Sequence, residues 1–132
     1  MDSLELKTTI NASASVIYKD WLTSKAHSEF TGGEAEITAE IGAEYTAWDE
    51  YITGTILELT PNQSIKMSWR TSEFAHNEED SIVEIVLNNI SDNETQLILK
   101  QTNMPEGTQQ KYTDGWNEFY FEPMSEYYNN QR

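Results

Sequence analysis

Two histidines, four tryptophans, seven tyrosines and no cysteine frame the chemistry open to this sequence of 132 residues. His27 and His76 stand far apart in unlike contexts, so neither belongs to a metal-binding spacing, and a surface position is expected for each. His76 lies in the stretch 71–80, TSEFAHNEED, beside Glu78, Glu79 and Asp80. That stretch reads as a solvated acidic loop, with an acid–base or cation-binding role as the sharper alternative. The sequence holds neither Gly-x-Ser-x-Gly nor a phosphate-cradling glycine loop. No catalytic residue, metal ligand or cofactor is nominated, and ATP hydrolysis by the chain itself is not expected.

Recognition of an apolar molecule is the chemistry these residue types suit better. Such pockets are mostly aromatic and aliphatic, with a few polar groups that fix orientation. Trp21, Trp48, Trp69 and Trp116 are candidates to line one, together with Met67, Tyr120 and Met124, although core packing is the ordinary use of any single tryptophan. Arg70 and Asn117 are the polar candidates. Arg70 ends an otherwise apolar strand, either as an exposed terminus or as a partner for a carboxylate on a ligand or a glutamate.

These residues need elements to hold them, and the stretch 108–128, TQQKYTDGWNEFYFEPMSEYY, is the longest helix-compatible run. At about 100° per residue, Tyr112, Trp116, Phe119, Tyr120, Pro123 and Tyr127 fall on one stripe. Phe121, Met124 and Tyr128 widen it to an arc of roughly 200°. Asn117 projects into the same arc, and Glu118, Glu122 and Glu126 form the opposite, solvated ridge. Pro123 lacks an amide hydrogen and crowds the preceding turn, which predicts a bend over 119–123.

Upstream, alternation over 3–10 predicts a first strand, and Ser13 is placed to cap a helix carrying Ala14, Ile17, Tyr18 and Trp21. A second short helix runs from a cap at Thr23 or Ser24 to Phe30 and stops at Thr31-Gly32-Gly33. Six further strands are predicted over 34–38, 44–48, 51–59, 65–71, 81–90 and 95–102, separated by turn residues. Gly54 inside one of them predicts a bend or bulge. The expected architecture is α+β, one domain over 1–132: a seven-stranded curved antiparallel sheet with two short helices and one long C-terminal helix, in the order β-α-α-β6-α.

Eight basic against twenty-three acidic residues give a formal charge of −15. That balance argues against nucleic acid and against an anionic membrane surface as partners. The beginning of the sequence lacks a signal-peptide pattern, and no apolar run approaches the ~20 residues that span a bilayer. A cytoplasmic location is expected, which the absence of cysteine fits.

The residues Phe30-Thr31-Gly32, Tyr51-Ile52-Thr53-Gly54, Leu59-Thr60-Pro61, the strand Ile65-Lys66-Met67-Ser68-Trp69-Arg70 and Met104-Pro105 now take on a joint meaning. With the block Asp114-Gly115-Trp116-Asn117-Glu118-Phe119-Tyr120-Phe121-Glu122-Pro123-Met124, they resemble the C-terminal domain type of the activator of heat-shock protein 90 ATPase homologue family. That family is a branch of the START-like helix-grip superfamily, and the resemblance covers nearly the whole chain. It implies a seven-stranded sheet gripping the terminal helix, with a cavity between them that holds apolar ligands or, in some branches, does cyclase or hydrolase chemistry. It also implies a link to the chaperone, since in two-domain members this domain helps an N-terminal domain stimulate the ATPase. The sequence reading is a non-catalytic module for an apolar or aromatic small molecule, oriented by Asn117. One alternative is a stimulator of heat-shock protein 90 acting through surface contacts at His76, Glu118, Glu122 and Glu126; a further one, ranked below it, is a cyclase- or hydrolase-type enzyme using the cavity.

Overall fold

A computed structural model describes residues 1–131. Strand β1 (Asp2–Ile10) leads into helices α1 (Ala14–Trp21) and α2 (Ser24–Thr31), and five strands follow: β2 (Glu44–Ala47), β3 (Ile52–Thr60), β4 (Ser64–Thr71), β5 (Ser81–Ser91) and β6 (Glu94–Met104). The chain then enters α3 (Gln109–Trp116), a π turn (Asn117–Phe121) and α4 (Glu122–Asn129). The sheet is antiparallel throughout, in the order β1-β6-β5-β4-β3-β2.

Period-two alternation is what buries one face. Along β5 the inward side chains are Ser81, Val83, Ile85 and Leu87, and along β6 Thr95, Leu97, Leu99 and Gln101. Register aligns them, with Leu99 opposite both Leu6 and Ile85, and Ile85 opposite Ile65. The terminal helix covers this face, α3 and α4 lying against β1 and α4 also against α2.

The helix ends follow their chemistry. Ser13 Oγ accepts from the Val16 amide and caps α1, while α2 ends on Gly32 at φ 87°, a left-handed backbone that glycine adopts without strain. Helix α3 is capped from a distance: Thr108 makes no side-chain cap bond, and Asp2 Oδ2 on β1 accepts from the amides of Thr108 and Gln109, each at 3.0 Å. Gly54 serves a close approach. A Cβ there would stand 1.9 Å from the Ser68 carbonyl oxygen, and the irregular register of β3 falls further on, between Ile56 and Glu58.

Six strands form the sheet, not seven. In the stretch 34–38 only an isolated bridge, Glu36 with Thr46, reaches toward the sheet. Serine hydroxyls of α2 take the neighbouring amides, Ser28 Oγ accepting from Ala35 N and Ser24 Oγ from Ile37 N, both at 2.9 Å. Those amides are turned to a helix and cannot continue a ladder.

Candidate functional site

The terminal helix is one continuous element with a changed phase in its middle. Pro123 has no amide to return to the preceding turn, and the Glu122 amide reaches back five residues to the Asn117 carbonyl. The extra residue resets the register, so Tyr112, Trp116, Tyr120, Phe121, Met124 and Tyr128 are all buried. Asn117 drops out of that narrower stripe. It is exposed and borders a shallow depression with Thr8, Asp114, Glu118, Glu122 and Ser125 on the other side of the helix. The expectation that Asn117 looks between helix and sheet fails because constant 100° steps do not survive the π turn.

A groove of about 580 Å³ opens where α3 and the π turn cross the β2–β3 end of the sheet. The sheet side supplies Trp48, Tyr51, Ile52 and Trp69, and the helix side Tyr112, Gly115, Trp116, Phe119 and Tyr120. Seven of these nine residues are aromatic. Trp69 and Trp116 pack with ring centroids 5.4 Å apart, Trp116 and Tyr120 at 4.9 Å, and Trp48 meets Phe119 edge-on at 5.6 Å. Gly115 opens the helix wall, since a Cβ built there would have no neighbour within 4 Å.

Of the residues nominated from sequence, Trp48, Trp69, Trp116 and Tyr120 meet in this groove. Met67 and Met124 are core side chains outside it. Trp21 stacks on the far side of Tyr120, at 5.1 Å, and belongs to the core with His27 and Phe30. Arg70 organises the β4–β5 loop: Nη1 donates to the Glu78 carbonyl and to Asp80 Oδ1, both at 2.9 Å, and Nη2 to the Ala75 carbonyl at 3.0 Å. Its carboxylate partner is therefore Asp80. His76 is exposed on that loop, and Glu118, Glu122 and Glu126 are exposed along the helix, Glu118 also bordering the groove.

His27 is the largest departure from expectation, being 1% exposed. Nδ1 lies 2.9 Å from the Trp21 carbonyl oxygen, which can only accept, so Nδ1 carries the hydrogen and Nε2 accepts from the Tyr120 hydroxyl at 2.9 Å. Burial pulls the imidazole from its ordinary 6.5 down to about 4, against the opposing effect of the Trp21 carbonyl. Desolvation likewise pushes the Tyr120 phenol up. At neutral pH the pair is an uncharged, satisfied joint. A hint lies in the sequence: His27 precedes Phe30 by three positions, the spacing of one helix face.

A second buried polar chain supports the floor. Trp116 Nε1 donates to Gln101 Oε1 at 2.8 Å, Gln101 Nε2 to Ser81 Oγ at 2.9 Å, and Ser81 Oγ to the Trp69 carbonyl at 2.7 Å. Both floor tryptophans are thus tied to one fully buried glutamine. At the rim, Glu73 accepts from the Tyr51 hydroxyl and from Lys111 Nζ. The Lys111 ammonium, followed by the Tyr51 hydroxyl, holds the Glu73 carboxyl below its usual range, and burial followed by Glu73 raises Tyr51 to about 12. Tyr112 OH and Thr71 Oγ1 are 2.9 Å apart beneath this clamp. Among the described residues, no cluster of His, Asp or Glu is placed to hold a metal ion. Among those residues, no helix is long and apolar enough to cross a membrane.

The sequence over residues 11–129 matches the family described as Activator of Hsp90 ATPase homolog 1-like protein. The chain belongs to that family. It is 28% identical over 124 residues to the activator of 90 kDa heat shock protein ATPase homolog 1 of Mus musculus, and 27% to that of Homo sapiens. The alignment takes in 93% of this chain and 36% of each mammalian protein, so the chain spans about a third of the length of these relatives. Its fold is that of an HSP90 activator from Plasmodium falciparum, at a TM-score of 0.83 and 19% identity over 91% of both chains.

Proposed function

We propose that this member of the family is a non-catalytic binding module that takes an apolar or aromatic small molecule in the groove between the terminal helix and the sheet. One observation carries the reading: aromatic side chains line an open groove whose helix wall is thinned at Gly115, where an added Cβ would meet nothing within 4 Å. Glycine inside a helix costs about 1 kcal/mol relative to alanine, a cost that packing does not impose here. Open space beside the rings is what the glycine preserves. Orientation falls to the charged rim, not to Asn117.

A thermal-shift screen of apolar and aromatic compounds against the wild type and Gly115→Phe tests this. A ligand at a hundred times its dissociation constant adds about 2.7 kcal/mol, a rise of roughly 10 °C in melting temperature for a domain of this size. Gly115→Phe fills the groove and abolishes the rise. Equal shifts in both proteins, or none in either, reject the reading.

The family and its mammalian members favour a second reading, stimulation of a heat-shock protein 90 ATPase through surface contacts. The exposed Glu118, Glu122 and Glu126 are the first positions at which to reverse charge. Several-fold stimulation by stoichiometric protein, lost in that triple variant and kept in Gly115→Phe, establishes this reading over the first.

A further inference from the structure

We propose that the ligand of this groove is an aromatic or apolar molecule carrying a positive charge, an amine or ammonium held between the aromatic rings and the carboxylates of the rim. The inference rests on the groove being a binding site and adds the chemical class of its occupant. Four formally charged side chains border it: Glu73, Asp114 and Glu118 against Lys111. The one ammonium is already engaged by Glu73. Asp114 and Glu118, which stand on the helix between this groove and the depression beside Asn117, remain as an excess of negative charge along its edge; Asp114 also accepts from Gln110 Nε2 at 2.9 Å, a neutral partner.

The protein shows the preference on its own side chain. Lys111 Nζ pairs with Glu73 and stands 5.6 Å from the centre of the Tyr112 ring, an ammonium shared by a carboxylate and a π face. A ligand cation placed one helical turn along would meet the same two kinds of group, the carboxylates of Asp114 and Glu118 and the rings of Phe119 and Trp48. Phe119 is 48% exposed, a large apolar side chain kept at the mouth next to Glu118. Ring faces attract cations through their quadrupole, and carboxylates at their edge add a screened attraction. An anionic amphiphile such as a fatty acid meets the reverse, repelled by the rim and by a chain of formal charge −15.

The test uses three probes with one ring system and different charge: naphthylmethylamine, naphthylmethanol and naphthoate. Binding is followed by tryptophan fluorescence and by calorimetry on the intact chain. The amine is expected to bind about tenfold more tightly than the alcohol at low salt, with naphthoate weakest. Its advantage should shrink at roughly 1 M salt, where the screening length is ~3 Å. The exposed double variant Asp114→Asn/Glu118→Gln should remove the advantage while leaving the affinity for the alcohol unchanged. If the alcohol or naphthoate equals the amine while Gly115→Phe abolishes binding, the charge assignment is overturned and the groove reading stands. If no probe binds, or Gly115→Phe leaves binding intact, both fall.

Discussion

The hydroxyl of Tyr120 donates to Nε2 of His27 across 93 positions of sequence, and this bond joins the terminal helix to α2 at the back of the groove. Tyr120 faces the groove with its ring and the core with its hydroxyl. The joint requires a neutral imidazole, because a protonated Nε2 has no lone pair to accept with. Acid should therefore loosen it. A histidine held at about 4 in the folded chain and near 6.5 in the unfolded chain binds more protons unfolded at any pH between them, so stability falls as pH falls through that window. The loss amounts to about 2 kcal/mol by pH 5. Urea midpoints from pH 7 to 5 should show this slope for the wild type and a flatter one for His27→Gln. The lowered carboxyl of Glu73 adds a loss of the same sign, but only below the ordinary carboxylate range, so the upper part of the window isolates His27.

Trp116 anchors the helix on the sheet and is 2% exposed. Truncation to alanine should cost about 3–5 kcal/mol, enough to unfold much of the population. Gln101→Leu asks a finer question. It keeps the bulk but leaves the Trp116 indole hydrogen without its acceptor, a loss of about 1–3 kcal/mol. Chemical denaturation checks both, and a midpoint for Gln101→Leu equal to wild type would mean that the buried chain of polar groups contributes nothing net.

Gly115→Ala separates stability from function. The backbone there is helical and a Cβ has room, so the variant should gain about 0.5–1 kcal/mol. A ligand that lies against the helix wall should bind it more weakly than wild type. Paired melting and titration experiments read the two effects independently.

Asp2→Ala removes the acceptor for two amides at the opening of α3. A lost cap costs about 1 kcal/mol. Asp2→Asn, which keeps an acceptor oxygen, should recover part of it, and the pair of denaturation curves measures both the cap and its charge.

Alternation made the strands of the sheet legible because a half-buried strand writes its burial directly into its sequence, as Val83, Ile85 and Leu87 do. The segment 34–38 alternates too, but its amides are claimed by Ser24 and Ser28, partners that a strand pattern does not display. The aromatic composition of the groove was readable, and four of its lining residues were named from sequence. Tyr51, Ile52, Tyr112, Gly115 and Phe119 were not: Tyr112 and Phe119 stood on the inward stripe, but a stripe does not tell a ring that lines a groove from one that fills the core. Pro123 announced a disturbance in the terminal helix without giving its form. Trp48 shows the same limit: it begins a run of left-handed residues with Asp49 and Glu50, at φ 51°, 58° and 72°, and no glycine marks the turn.

The cap that Asp2 places on α3 has a consequence for biosynthesis. Asp2 leaves the ribosome 107 positions ahead of its partner Gln109. The hairpins from β3 to β6 pair neighbours in sequence and close early, whereas β1 has no strand to join until β6 has emerged. Throughout that interval β1 is unpaired, and Trp69 lacks the helix that later covers it. A stalled or truncated translation product ending before α3 is thus an aggregation hazard rather than a smaller working domain. The aromatic groove is finished only after α3 and the π turn have been released and laid across the sheet.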